Sequence, residues 1–237
     1  MKIKGIIFDK DGTLIRYDEL WIPAAEHAAG LILDKLGADG SLAGAMLREI
    51  GARAGISGLL CRGTYRQISE AFGGVLEKAG TVTDAEELYT LTCEAFRMGA
   101  ERGRIVPVCD GLGNVLKRLR AGGIKLFLVT TDEENITRRC LDSLGIDGMF
   151  DGIYTDDGKT PSKPDPYYIN KIMSEYGFKP EELIMVGDTM TDIEFAENGG
   201  IRAVGVAASG EDRRILEKGA AAVIENVSQL EKVLNEI

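Results

Sequence analysis

Long hydrophobic runs are missing from this chain of 237 residues. No apolar stretch approaches the roughly 20 residues that a membrane-spanning helix needs, so we expect no membrane partner. The sequence opens on a strand-like pattern without a signal-peptide pattern, and we therefore expect a cytoplasmic protein. Hydrophobic residues still make up 44% of the chain, which is enough to bury the core of one large domain or two smaller ones.

Histidine, paired cysteines and positive charge are also scarce. The single histidine, His27, excludes any mechanism that needs two. The four cysteines lie far apart with no Cys-x-x-Cys pair, which argues against a zinc site and a disulfide framework. Because 28 Lys and Arg face 38 Asp and Glu, the formal net charge is −10. We expect no nucleic-acid partner, although a small anion can bind where local cations line a pocket.

Six short apolar runs predict β-strands. Helical patterns lie between the later runs, for example at residues 113–121, 135–144 and 167–176. Alternation of strand and helix at this spacing predicts an α/β fold with a doubly wound parallel sheet and helices on both faces. The predicted strands are Ile3–Phe8, Lys125–Val129, Gly152–Tyr154, Leu183–Val186, Arg202–Val206 and Ala222–Ile224.

The interval between the first two predicted strands breaks this rhythm. It shows helical periodicity without a convincing strand, with Pro23 near the predicted start of one helix and a predicted capping box from Asp84 to Glu87. We therefore predict an α/β core domain of residues 1–16 and 105–237, with an inserted helical domain of residues 17–104. The predicted helices of the insertion are 23–36, 42–54, 64–78 and 84–102.

The most informative motif follows the first predicted strand. Asp9 and Asp11 come directly after the apolar run and before Gly12, which permits a sharp turn. Open α/β sheets bind ligands at the carboxyl ends of their strands. On a period of two, Asp9 and Asp11 point the same way and Lys10 points the other way. Two close carboxylates are unfavourable unless a cation joins them or one takes a proton.

A second acidic motif follows a later predicted strand. Gly187 and Asp188 stand at the end of the apolar run 183–186, and Asp192 comes one helical turn onward. Glycine lets the backbone approach closely, and two acids at this spacing can share one metal site. A helix cap would explain Asp188 alone but would not explain these neighbours.

Candidate phosphate-binding side chains occur at two further places. Thr130 and Thr131 follow the run 125–129, and a hydroxyl at a strand end can donate to a phosphoryl oxygen. Lys163 opens a Lys-Pro-Asp-Pro sequence whose prolines restrict the backbone before a predicted helix. A hydrated ammonium on a long side chain suits the neutralisation of a transferring phosphoryl group.

Taken in this order, the four motifs resemble those of the haloacid dehalogenase superfamily, and most closely its phosphoglycolate phosphatase-like branch with a helical cap. The resemblance implies a Rossmann-like core, with residues 17–104 as the cap, and a Mg²⁺-dependent phosphatase that forms an aspartyl-phosphate. The resemblance also implies a role for each motif residue. Asp9 would be the nucleophile and Asp11 the general acid and base, while Asp9, Asp188 and the Asp11 carbonyl would bind the metal. Thr130, Thr131 and Lys163 would bind the phosphoryl group, and Asp192 would orient Lys163 or a metal-bound water.

The second motif departs from the family pattern. The family often carries Asn and then Lys after the threonine, whereas this chain has Thr131, Asp132 and Glu133. We therefore expect fewer cations near the site than is usual in the family.

Other functions remain open at this point. A phosphosugar mutase of the β-phosphoglucomutase kind keeps the same core chemistry, but such enzymes carry a histidine where this chain has Trp21. A non-catalytic phosphate-binding protein is disfavoured because the acidic residues and Lys163 are intact, and a dehalogenase has no use for Asp11. We expect a small phosphorylated metabolite as the substrate and a monomer or homodimer as the assembly.

Overall fold

The computed structural model describes residues 2–234 and 236. The chain divides into two compact units, one formed by residues 1–16 and 105–237 and the other by residues 17–104. Within the described part of the chain, no helix combines the length and apolar character needed to cross a membrane.

A six-stranded parallel sheet forms the centre of the first unit, in the order β3-β2-β1-β4-β5-β6. Strands β2 and β3 extend from one side of β1, and the later strands extend from the other side. This is the doubly wound order, so the predicted fold class is confirmed. The strands are β1 (Gly5–Phe8), β2 (Lys125–Glu133), β3 (Gly152–Asp156), β4 (Leu183–Gly187), β5 (Arg202–Val206) and β6 (Ala222–Ile224).

The two central strands end at the same edge of the sheet. Every residue of β1 and β4 is buried, as expected for parallel strands with both faces covered. Phe8 pairs with Val186, and the Asp9 N–H donates to the Val186 carbonyl at 2.9 Å. The residues that follow β1 and β4 therefore emerge next to each other at the switch point of the sheet, where folds of this order bind ligands.

The second unit is helical throughout its regular structure. Its helices are α1 (Tyr17–Leu36), α2 (Ala43–Glu49), α3 (Leu59–Arg62), α4 (Tyr65–Lys78) and α5 (Ala85–Ala100). The first unit adds α6 (Leu112–Ala121), α7 (Glu134–Ser143), α8 (Tyr167–Tyr176), α9 (Met190–Asn198), α10 (Gly210–Leu216) and α11 (Leu230–Val233).

Two predicted helices of the second unit have the wrong bounds. Helix α1 begins at Tyr17, so Pro23 lies inside the helix and not near its start. Leu20 and Trp21 are buried before the proline, and this packing extends the helix toward its N-terminus. The predicted helix 42–54 ends early, because α2 stops at Glu49 and Gly51 adopts a φ of +60°.

The predicted capping box is also misplaced. Asp84 does cap α5, since its carboxylate accepts from the N–H groups of Glu86 and Glu87, but this cap is one-sided. In this unit a reciprocal box lies at the start of α4. There the Thr64 hydroxyl accepts from the Gln67 N–H, and the Gln67 side chain accepts from the Thr64 N–H.

Candidate active site

Asp9, at the end of β1, is the centre of the site. Only 8% of this residue is exposed, and its carboxylate accepts a hydrogen bond from the Lys163 ammonium. Carboxylate oxygens of Asp9, Asp188 and Asp192 lie within 4.8 Å of one another. The structure thus brings together four residues that the sequence placed in three separate motifs.

Gly12 allows the turn after β1 to approach Asp188. Its φ of +77° is one that side-chain-bearing residues rarely adopt, and a Cβ at this position would lie 2.0 Å from Asp188 Oδ2. The next residue, Thr13, is buried and its hydroxyl donates to Asp188 Oδ1 at 3.4 Å. The turn therefore positions the second acid from the side of the first motif.

Replacing Gly12 with alanine should destabilise the protein more than the backbone strain alone can explain. A left-handed residue with a side chain costs roughly 1–2 kcal/mol, and the contact with Asp188 adds to this. Gly123→Ala is the matched control, because Gly123 has a φ of +82° and an added Cβ there would have no atom of the described residues within 4 Å. Denaturant unfolding of both variants measures the difference. Equal losses would show that the Gly12 turn can move away from Asp188.

Lys163 is held between two acids. It is buried, and its ammonium contacts Asp9 and also Asp192 Oδ1 at 2.6 Å. The other oxygen of Asp192 accepts from the N–H and hydroxyl of Thr189, at 3.1 and 2.7 Å, in a capping box at the start of α9. Both carboxylate oxygens of Asp192 therefore accept hydrogen bonds from the protein, one of them from Lys163.

The two threonines at the predicted phosphate site differ in exposure. Thr130 is buried, and its hydroxyl oxygen accepts from the Asp132 N–H at 3.2 Å. This bond leaves the hydroxyl proton of Thr130 for donation to another acceptor. Thr131 is exposed. Of the two, Thr130 has the buried position that suits a ligand contact.

The side chain of Lys10 does not point away from Asp11, contrary to the period-two expectation. Its ammonium is fully buried and lies 2.7 Å from Asp11 Oδ2 and 2.8 Å from Asp132 Oδ2. The alternation fails because strand β1 ends at Phe8 and the chain is already turning. An ion pair therefore connects the first motif with the end of β2.

Burial and crowding shift the ionisation of the acids. Burial is the main cause that raises the pKa of Asp9 to about 7; Lys163 opposes the shift, whereas Asp192 and Asp11 add to it. Burial, followed by the charges of Asp9 and Asp192, also raises the pKa of Asp188 well above its usual value. A bound divalent cation would lower the pKa values of these acids, since an opposite charge favours the ionised form.

The lysine shows the complementary effect. Burial disfavours the charged form of Lys163, but Asp192 and Asp9 outweigh it and raise the pKa of this ammonium above its ordinary value. Lys163 therefore remains a cation at neutral pH, at a fixed position beside Asp9.

Comparison with known proteins identifies the family. The sequence pattern of the haloacid dehalogenase-like hydrolases matches residues 3–200. The chain belongs to this family. Family membership and the expected hydrolase class are thereby confirmed, and the site described above lies on the family's characteristic α/β core.

Named relatives of this haloacid dehalogenase-like hydrolase act on different phosphates. Pyrophosphatase PpaX of Halalkalibacterium halodurans is 29% identical over 90% of this chain and 88% of its own. Phosphoglycolate phosphatase of Pseudomonas putida is 28% identical over 85% of this chain and 68% of its own. The fold resembles that of YfnB from Bacillus subtilis, a provisionally assigned hydrolase of the family solved with bound magnesium. The two structures superimpose with a TM-score of 0.69 at 18% sequence identity, and the match covers 99% of this chain and 100% of the YfnB chain.

Sequence reasoning missed one part of the hydrolase's site. The period-two pattern predicts that Lys10 points away from the acids, and at the second motif Asp132 indicates only a lower number of nearby cations. A signal was present, because a lysine next to a fully buried strand needs a counter-ion and a new acid at the second motif can supply it.

Proposed function

We propose that this protein is a Mg²⁺-dependent phosphatase that hydrolyses a small phosphomonoester through an aspartyl-phosphate. The observation that carries the proposal is the position of the Asp9 carboxylate, which is buried at the switch point, contacts the Lys163 ammonium and lies within 4.8 Å of a carboxylate oxygen of Asp188. A nucleophile close to both a cation and a second acid that can share a metal ion suits attack on a phosphoryl group.

The proposed reaction has two steps. In the first, a carboxylate oxygen of Asp9 forms a bond to phosphorus, the ester P–O bond breaks, and the leaving oxygen takes a proton from Asp11. In the second, Asp11 takes a proton from water, the water oxygen bonds to phosphorus, and the bond between Asp9 and phosphorus breaks to release phosphate. General acid–base catalysis of this kind is worth about 10²–10⁴-fold in rate.

The remaining residues bind and orient the phosphoryl group. Lys163 stays charged and can neutralise a phosphoryl oxygen as negative charge spreads over the transition state. The Thr130 hydroxyl can donate to another oxygen, with Thr131 beside it. Asp192 keeps the Lys163 ammonium in place through the 2.6 Å contact.

The acidic residues fit a magnesium ion. Mg²⁺ prefers oxygen ligands, and carboxylates of Asp9 and Asp188 together with the Asp11 carbonyl supply them. When bound, the ion would shield the nucleophile from the substrate's negative charge and stabilise charge in the transition state. The raised pKa values of Asp9 and Asp188 support this assignment, because they mark acids that lack a sufficient counter-charge.

Mg²⁺ should change how stability depends on pH. The pKa of Asp9 rises from 3.8 to about 7 in the folded protein. Between those values the folded state binds more protons, so without metal this residue makes stability fall as pH rises. Mg²⁺ should stabilise the ionised acids and therefore remove much of the dependence of stability on pH. At a hundredfold excess over its dissociation constant, the ion should add about 2.7 kcal/mol to the free energy of unfolding.

Thermal unfolding between about pH 5 and pH 7, in EDTA and in Mg²⁺, tests this expectation. Asp188→Asn should respond less to Mg²⁺, and Asp142→Asn, which changes an exposed acid of α7, should respond like the unchanged protein. The same slope in EDTA and in Mg²⁺ would contradict the assignment of the metal site.

Activity toward p-nitrophenyl phosphate with Mg²⁺ tests the reaction class. A panel of small phosphomonoesters that includes phosphoglycolate, with pyrophosphate as a separate arm, then tests the substrate class that the two named relatives suggest. Released phosphate is the readout for a phosphatase. A phosphosugar that is isomerised without net release of phosphate would support the mutase alternative instead.

We assign the role of the family's cap domain to the helical unit of residues 17–104. The assignment rests on the insertion of this unit directly after the first motif and on its helical composition. Substrate choice by this unit is the expectation that follows from the role.

A further inference from the structure

A fully buried lysine lies beside the proposed acid–base residue. The Lys10 ammonium is 2.7 Å from Asp11 Oδ2 and 2.8 Å from Asp132 Oδ2, and Cys140 Sγ lies 4.0 Å away. The other oxygen of Asp11, Oδ1, is buried and accepts no hydrogen bond from a described donor. One oxygen of Asp11 is thus held by a cation, while the other is left for a different partner.

The backbone of β2 is shaped to bring Asp132 to this lysine. Val129 pairs with Tyr154 and Glu133 pairs with Asp156, so four steps along β2 match two steps along β3. The irregularity falls on residues 130–132. The Asp132 N–H donates to the Thr130 hydroxyl oxygen, which fixes the distorted segment. Bulges of this kind often redirect side chains beside active sites.

Charge explains why two acids surround one lysine. A buried ammonium is strongly disfavoured without a counter-ion. In the proposed reaction Asp11 gives up a proton and later takes one back, so Asp11 alone would not be a constant partner for Lys10. Asp132 takes no part in the bond changes. Burial raises the pKa of Asp132 to about 7 and Asp11 adds to the shift, but the Lys10 ammonium opposes it and favours the ionised form. Lys10 can therefore keep its position through both steps.

We propose that Lys10 and Asp132 are positioning residues for Asp11. The ammonium holds Oδ2 of Asp11, Asp132 holds the ammonium, and Oδ1 of Asp11 is left to exchange the proton with the leaving oxygen and then with water. The inference rests on the proposed function, because Lys10 and Asp132 act only by positioning Asp11, the acid–base residue of the proposed reaction.

Steady-state kinetics with p-nitrophenyl phosphate test the inference. Its leaving group departs without a proton, so kcat/KM reports attack by Asp9, whereas kcat also includes hydrolysis of the aspartyl-phosphate, which needs Asp11. In Asp132→Asn, kcat should fall about a hundredfold, as expected for a displaced catalytic group, while kcat/KM changes less than about threefold. KM should fall with kcat, and the phospho-enzyme should accumulate in intact-mass spectra.

The matched control is Glu134→Gln, two residues along the chain. Glu134 is exposed and pairs with Arg138 one helical turn away, so its replacement should leave both kinetic constants unchanged. Lys10→Met should repeat the Asp132→Asn result in a stronger form. It can also unfold the protein, because it leaves two buried acids without their cation.

The double variant Lys10→Met with Asp132→Asn separates positioning from stability. Removing both charges should restore much of the melting temperature lost in Lys10→Met, but kcat should remain low because nothing holds Asp11. Recovery of kcat together with stability would overturn the inference, as would equal losses in kcat and kcat/KM without phospho-enzyme. If the protein without any substitution shows neither turnover of p-nitrophenyl phosphate nor a phospho-enzyme, the proposed function is overturned, and this inference with it.

Discussion

Replacing Asp9 with asparagine should abolish turnover of every phosphate ester that the protein accepts. An amide is a poor nucleophile, so the first bond to phosphorus cannot form. We expect a loss in kcat of about ten thousandfold or more, the size typical for removal of a catalytic nucleophile. No phospho-enzyme should appear in intact-mass spectra. The folded structure should survive, because asparagine keeps the shape of the side chain beside Lys163.

Two measurements complete this test. Asp142→Asn makes the same chemical change on the surface of α7 and should retain full activity. The metal response of Asp9→Asn should weaken, because one proposed ligand is altered, and thermal unfolding in Mg²⁺ measures it. An Asp9→Asn protein that keeps its activity would show that another residue attacks phosphorus.

Replacing Asp11 with asparagine should trap the reaction halfway. Attack on p-nitrophenyl phosphate needs no proton for its leaving group, so the aspartyl-phosphate should still form. Its hydrolysis needs a base to take the proton from water, and without Asp11 this step should slow by about 10²–10⁴-fold. Esters with an alkyl leaving group should lose the first step as well.

A burst of p-nitrophenolate followed by slow turnover is the kinetic sign of this trap. Mass spectrometry should then show one added phosphoryl group in Asp11→Asn and none in Asp9→Asn. Finding the adduct in Asp9→Asn and none in Asp11→Asn would reverse the two roles. The Lys10 and Asp132 variants should resemble Asp11→Asn with a smaller effect, because they displace the same group without removing it.

Periodicity was sufficient to locate the strands. Strands β5 and β6 and helix α8 have the predicted bounds, and β1, β3 and β4 differ at their ends by at most two residues. Strand β2 runs four residues beyond its predicted end at Val129, because the irregular segment 130–132 resumes pairing with β3 at Glu133. Buried parallel strands are apolar on both faces, and the loops between them contain the residues that end helices. Both signals are local, so they can be recognised without knowing which strands pair.

Periodicity was less reliable in the helical unit. Pro23 is typical of a helix start, yet α1 begins six residues before it. Asp18 and Glu19 in the first turn favour that N-terminus through the helix dipole. Local propensity is a weak determinant there because burial of one helix face against other helices can extend a helix through a proline.

By itself, the sequence determined the family, the α/β class and which four strand ends and loops bear the candidate site residues, because each motif is short and contiguous. Only the tertiary structure decided which partners those side chains have. Lys163 meets Asp9 and Asp192, and Lys10 meets Asp11 and Asp132, across separations of up to 154 residues along the chain. Such pairs depend on strand order, on the shift in β2 and on burial, which makes a counter-ion necessary for each lysine.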